Sequence, residues 1–376
     1  MSGRLLRWTC AGSALTALLT ATAAPPALAA PGPGERTVTQ LLTDLQRLYR
    51  QAEESTETYN EADDDLREQR RRVAGLNRRL ATARASAHDG RSAAGRLARQ
   101  QYQNNSVEIS SYVRLLLARS PQGALDQRHV LRRAAAGRAA TVTRLADGAR
   151  RADLLAREAR RALATQESLA KRQKGARDAV RARLREVEEL LASLSAEDLA
   201  ALDRAERDGT DEAQRKLLAS GALGAPGARR APSAPGERAL RYAVGQIGKP
   251  YVWGAEGPLS CDDCSGLTQR SWSRAGHDIP RTSQEQWARL PRVPLRALRP
   301  GDLVVYFPKA THVGMYLGDG LVVHAPRPGA RVKVSPLAAN PVLGAVRPDS
   351  GAAPVDTYRP PRLPEGAREG TDRGVG

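Results

Sequence analysis

Cysteine and histidine are scarce in this 376-residue chain, which has three of the first and five of the second, so their placement narrows the chemistry open to it. The stretch "GPLSCDDCSGLTQRSW", from Gly257 to Trp272, holds both cysteines that lie beyond the first thirty residues, Cys261 and Cys264. A C-x-x-C pair has three readings: a disulfide, half of a metal site, or one nucleophile with a bystander. The residues that follow, "DDCSGLTQRSWSRAG", carry a helix signature, with Leu267, Trp272 and Ala275 for one face and Gly276 as a C-terminal stop. Cys264 then falls in the first helical turn, where the positive end of the helix dipole favours thiolate over thiol. Of the two cysteines, it is the better nucleophile.

A thiolate needs a base that titrates near neutral pH, and this part of the chain offers His277, His312 and His324. His312 opens "HVGMYLG" and His324 closes "GLVVHAP", with "GDG" at 318 to 320 between them. That pattern predicts a hairpin whose paired strands bring the two histidines together. His312 is then the candidate general base, and His324 the polar group that orients it through its other ring nitrogen. His277 lies in the loop after the nucleophile helix and is given a solvated or capping role.

Three other readings compete. A Cys2His2 zinc site from Cys261, Cys264, His312 and His324 has the right ligands, but eleven residues between the histidines fit such a site poorly. A thiol oxidoreductase would use C-x-x-C at a helix start, but the strand-helix-strand unit expected before it is missing. A non-catalytic coiled-coil scaffold that grips its target by charge is the third.

The elements that must position these groups occupy only part of the chain. Aromatic residues make up 4%, with one Phe and four Trp, which is thin for one large core. Every Trp after the first thirty residues, the Phe and the strand-like runs "DLVVYF" and "VGMYLG" fall between Glu237 and Pro348. Residues 237–348 are therefore the expected compact domain. Residues 206–236, ending in "SGALGAPGARRAPSAPG", have a linker composition, and 349–376 lack the apolar content for a core and read as a disordered tail.

Residues 36–205 show a different pattern. Val38, Leu41, Leu45, Leu48, Ala52, Tyr59, Ala62, Leu66, Val73, Leu76, Leu80, Ala83 and Ala87 recur at alternating spacings of three and four. That is a heptad seam, and a second runs from Val142 through Leu145, Ala149, Ala156, Leu163, Val180 and Val187 to Leu194. Two seams joined by "QNNSVEISSYVRLLLARSPQGALDQ" predict an antiparallel helical hairpin with arms on the order of 90 to 100 Å. Its many alanines make the pairing weaker than that of a leucine zipper. Its length and the apolar "SYVRLLLA" at its tip suit docking on a membrane or division-associated partner and control of access to the cleft.

Residues 1–29 combine Arg4 and Arg7, the apolar "AGSALTALLTATA" and small residues at Ala27 and Ala29, the pattern of a cleaved secretory signal. The formal charge of +18 calls for an anionic partner. Export makes nucleic acid an improbable one and points to anionic cell-wall polymers outside the membrane.

The ordered motifs "GKPYVWG", "DCSGL", "IPRTSQEQ", "LRPGDLVVYF", "HVGMYLG" and "HAPR" resemble the NlpC family of secreted cell-wall cysteine peptidases across residues 237 to 348. The resemblance implies an α+β, papain-like catalytic domain following the all-α hairpin. It also implies Cys264 as nucleophile, His312 as base and His324 as third polar residue. Tyr251 would line the cleft near the oxyanion site, and Asp263 and Ser265 would flank the nucleophile and shape the substrate pocket. The family hydrolyses peptidoglycan stem peptides, commonly between D-glutamate and a diamino acid, and needs no cofactor or metal. One departure stands out, because the position before Asp263, usually aromatic in the family, is Asp262 here. Cys261 is an extra thiol outside the family pattern, able to join Cys264 in an oxidising exterior.

Overall fold

The computed structural model describes residues 37–104, 121–224, 230–251 and 263–368. The expected secretory signal, the expected hairpin tip, Cys261 and the last residues of the chain lie outside the described residues.

Two helices follow from the two seams. Helix α1 (Val38–Asn104) and helix α2 (Pro121–Ala192) pack along their lengths as an antiparallel pair. On α1 the predicted seam is the buried face, from Leu41, Leu45 and Leu48 through Ala52, Tyr59, Ala62 and Leu66 to Ala87. On α2 the predicted seam holds in part. Ala159, Val180 and Val187 are buried as expected, whereas Val142 and Leu163 are exposed and Leu155 and Ala162, outside the predicted seam, are buried with α1 instead. Alanine-rich seams let backbones approach closely, and Gly90 against Leu145 and Gly148 against Ala87 mark such a place.

A third helix, α3 (Ala196–Ala219), starts from a capping box in which Ser195 and Asp198 satisfy each other's backbone N–H groups. This corrects the expected linker, because residues 206 to 219 are helical. Their apolar side proved sufficient: Leu217 and Leu223 pack with Leu298, Val304, Tyr306, Tyr316, Val322 and Leu337 of the compact domain. Gln214 locks the contact, donating to the Gly320 carbonyl (2.9 Å) and accepting from the Ala338 N–H (3.0 Å).

The compact domain contains helices α4 (Ala234–Val244), α5 (Cys264–Arg274) and α6 (Ser283–Arg289). An antiparallel sheet follows, with β1 (Arg292–Val293), β2 (Leu303–Tyr306), β3 (His312–Gly318), β4 (Leu321–His324), β5 (Lys333–Pro336) and β6 (Val342–Val346). The strand order is β1-β6-β2-β3-β4-β5. Alternation along β2 divides the core, with Leu303 and Val305 facing the α4 and α5 side and Val304 and Tyr306 facing the α3 side. Both faces are covered, so β2 is buried throughout. A cysteine-bearing helix packed on an antiparallel sheet is the α+β, papain-like arrangement expected for this domain.

The tail is corrected as well, since residues 349 to 368 are built into the domain. Asp349 pairs with Arg299 (2.8 Å) and bonds Ser233, Val355 N–H donates to the Pro232 carbonyl, and Ala367 is buried and accepts from Val334 N–H. A few polar and backbone anchors hold a chain that composition alone marks as coreless.

Candidate active site

Cys264 is the first residue of α5, and Asp263 is its N-cap, with Oδ1 accepting the Gly266 N–H at 2.8 Å. Trp272 and Leu267 anchor the helix in the core, and Gly276 adopts the left-handed backbone (φ 86°) that stops it. Helix α5 packs on β3, the strand that His312 opens, and the Val313 backbone N–H there favours the ionised form of the Cys264 thiol.

The predicted hairpin forms, with strands β3 and β4 starting at His312 and ending at His324. Its turn residues Asp319 (φ 52°) and Gly320 (φ 72°) both lie in the left-handed region, as a tight hairpin of this twist requires. His312 Nε2 and His324 Nδ1 are 2.8 Å apart, and His324 Nε2 lies 2.9 Å from the Ser335 hydroxyl. Burial, with the neighbouring His312, Lys333 and Arg327, pushes His324 well below its ordinary pKa and keeps it neutral. Histidine 312 thus has one nitrogen engaged by its partner and Nδ1 directed elsewhere.

Asp263, Ser265 and Tyr251 all gather here. Burial alone would raise the Asp263 carboxyl, but Arg281 grips both its oxygens (2.9 and 2.8 Å) and, with the Gly266 N–H and Asn60, holds it below the usual carboxylate range. Ser265 donates to Glu57 and lies 3.0 Å from Arg281 Nη1. Buried Tyr251 is pushed well above its ordinary pKa, by burial first and then by the charges of Asp263, Cys264, Glu53 and Glu57 around it.

Sequence reasoning missed several groups. Arg281 and Gln286, which lie in the motif "IPRTSQEQ" without an expected role in the site, bind the nucleophile helix. Gln286 donates to the Ser265 carbonyl (3.1 Å) and accepts from the Thr268 hydroxyl (2.9 Å). Ser335 extends the histidine chain without any local motif. The larger omission is α1. Its Glu53, Thr56, Glu57 and Asn60 are buried in the cleft. Glu57 Oε1 lies 3.8 Å from the Cys264 sulfur, Glu53 Oε1 lies 3.3 Å from His312 Nδ1, and Asn60 donates to Asp263 at 2.8 Å. The helix dipole was expected to lower the Cys264 pKa. In this arrangement burial, with Glu57, Asp263 and Glu53, instead drives the thiol well above its ordinary value.

Residues 248–344 match the model of the NlpC/P60 family. The chain carries an NlpC/P60 domain at its C-terminus. The chain is 47% identical over 104 residues to a probable endopeptidase of Corynebacterium glutamicum, covering 27% of this chain and 49% of that protein. It is 42% identical over 89 residues to the bifunctional muramidase/DL-endopeptidase CwlT of Bacillus subtilis, covering 22% and 27%. Among solved structures, NlpC1 from Trichomonas vaginalis aligns at 30% identity with a TM-score of 0.29, over 31% of this chain and 45% of that one. This chain thus matches about half the length of the corynebacterial relative.

Proposed function

We propose that the protein is an exported cysteine peptidase that cleaves stem peptides of peptidoglycan at the bond between D-glutamate and the diamino acid. The observation that carries this reading is Cys264 at the start of a helix packed on the strand that His312 opens, together with the hydrogen-bonded chain of His312, His324 and Ser335. The similarity of the NlpC/P60 domain to a DL-endopeptidase supports the choice of bond.

The tautomers follow from what the reaction requires. For His312 Nδ1 to accept the thiol proton it must be bare, so Nε2 carries the hydrogen and donates to His324 Nδ1. Neutral His324 then has its hydrogen on Nε2 and donates to Ser335. When His312 takes the proton, its imidazolium is stabilised by a hydrogen-bonded neutral partner, and the ring cannot rotate away.

The Cys264 thiolate attacks the carbonyl carbon, and the electron pair of the C=O bond moves onto oxygen. Backbone N–H groups at the start of α5 and the Tyr251 hydroxyl, kept protonated by its surroundings, are assigned to that oxyanion. Collapse expels the amine of the diamino acid, which takes its proton from His312. Water, deprotonated by His312, then hydrolyses the thioester and regenerates the thiol. The remaining calls enter this reading as proposals. Residues 1–29 export the chain, Asp263 and Ser265 shape the pocket, and the positive charge holds the enzyme near anionic wall polymers. Among the described residues no helix is long and apolar enough to cross a membrane.

The test is prolonged digestion of purified wall fragments with the full-length mature protein and with Cys264→Ala, followed by mass identification of the new peptide ends. Free D-glutamyl ends from the first protein only are expected. Equal release by both would remove the assignment.

A further inference from the structure

The reacting atoms of the proposed peptidase are covered by a segment of its own chain. Glu53 and Glu57 are four residues apart, so they project from one face of α1 on successive turns. One reaches His312 Nδ1, the nitrogen the reaction needs bare, and the other reaches the Cys264 thiol. Thr56 and Asn60 complete a buried stripe at helix spacing that is distinct from the seam facing α2.

The same turns of α1 also occupy the donors that line the cleft. Glu57 accepts from the Ser265 hydroxyl at 2.7 Å and from the Ser283 N–H at 3.2 Å, and Asn60 accepts from Arg281 at 3.2 Å. A carboxylate or carbonyl of a substrate entering the cleft would compete for those donors. With Glu57 in place, 3.8 Å from the sulfur, Cys264 is buried at 3% exposure.

We propose that α1 is a built-in latch, in which Glu53 engages the base and Glu57 the nucleophile, and that activity requires this stretch of α1 to leave the cleft. The proposal rests on the assignment of Cys264 and His312 made above and names the regulation of that site.

The way the latch is held suits release. At its rim are a half-buried ion pair, Arg327 with Glu206 of α3 (3.1 Å), with Arg327 also stacked over Tyr49 (4.6 Å), and an exposed pair, Lys309 with Glu54 (3.1 Å). Exposed pairs of this kind are individually weak. Inside, Glu53 Oε2 is buried and has no hydrogen-bond partner among the described residues, a burden on the closed state. Burial and the adjacent Asp263 also work against an ionised Glu57, to an extent that Arg281, Ser265 and Ser283 only partly offset. The neighbouring face of this stretch, with Ala52, Tyr59, Ala62 and Leu66 buried along it, packs with α2, where Gln173 bonds the Tyr59 hydroxyl (3.3 Å), so the latch moves with the hairpin. Force or binding at the far end of the hairpin would therefore act on the cleft.

The test uses the mature full-length chain carrying Cys261→Ser, so that Cys264 is the sole thiol. Two variants are compared with it: Glu53→Ala/Glu57→Ala/Asn60→Ala, which empties the cleft, and Glu54→Lys/Glu206→Arg, which opposes the rim pairs without touching the core. Iodoacetamide alkylation of Cys264 is followed by mass spectrometry, and stem-peptide release is measured in parallel. Alkylation at least about tenfold faster in the triple variant, with the rim variant between it and the parent, is expected. Equal alkylation in all three would overturn the latch. So would release by the parent as fast as by the triple variant, which would leave the peptidase reading standing. Faster alkylation with no release by any of them would keep the latch and remove the peptidase reading.

Discussion

The Glu57 carboxylate lies 3.8 Å from the sulfur of Cys264, across 207 residues of sequence. Both groups are buried, and neither is in the environment its local sequence would give it. A glutamate in the middle of an exposed-looking helix becomes a hard acid to ionise, and a cysteine at a helix N-terminus becomes a hard thiol to deprotonate.

That pairing gives the first prediction. Removing Glu53 and Glu57 takes two of the groups that raise the Cys264 pKa out of the cleft and lets water in. The thiolate absorbance of Cys264, followed against pH in a Cys261→Ser background, shifts to lower pH in Glu53→Ala/Glu57→Ala. An unchanged titration would mean that α1 does not touch the thiol in solution.

Glu57 also makes closure pH-dependent. Its pKa is raised to about 7 in the closed state, by burial and then by Asp263, against the pull of Arg281, Ser265 and Ser283, while in an open cleft it returns toward 4.5. The closed state therefore binds a proton that the open state releases between these values. Closure is favoured below about pH 4.5 and weakens as pH rises toward 7, then levels off. The ratio of parent to triple-variant alkylation rates, each corrected for that protein's own measured thiolate fraction, should rise across that window. Glu57→Gln keeps one acceptor oxygen, enough for either Ser265 or Ser283, and has no proton to lose, so the rise should flatten.

Arg281 serves the fold as well as the site. It is the cation that grips both oxygens of fully buried Asp263. Arg281→Ala leaves that carboxylate unpaired and should lower stability by about 3 kcal/mol, with Arg281→Lys losing less. Urea unfolding of the full chain measures this, and a loss under about 0.5 kcal/mol would show the pair to be replaceable by water.

The histidine relay should separate by role. In the triple variant, His312→Ala should abolish turnover. His324→Ala should lower kcat by about 10²-fold with little change in KM, because it orients rather than binds. Ser335→Ala, one bond further out, should do less and shift the lower limb of the pH profile. Equal losses for His324 and Ser335 would contradict this order.

The sequence carried the parts of this molecule that depend on local spacing. The α1 seam, the Cys264 helix with its glycine stop, and the His312 to His324 hairpin with its turn all rest on short-range periodicity and backbone conformation. What it hid depends on partners distant in sequence. Glu53, Thr56, Glu57 and Asn60 occupy heptad positions that ordinarily face water, and nothing in "EESTETYNEADDD" distinguishes a solvated face from one pressed against another domain. The one available sign was a polar stripe repeating at three and four residues beside an apolar one. Residues 206 to 219 and 349 to 368 were misread for the opposite reason, because a few anchors such as Gln214, Leu217 and Asp349 suffice to fix weakly apolar segments on a sheet already formed. Ser335 and Arg281 needed the third dimension to be seen.

The most direct test of the account is the initial rate at which stem peptides are released from purified wall fragments by three full-length proteins: the parent, Glu53→Ala/Glu57→Ala/Asn60→Ala, and that triple variant with Cys264→Ala. The account predicts rapid release by the triple variant, release slower by about tenfold or more from the parent, and none once Cys264 is gone. Release that persists without Cys264 would contradict it.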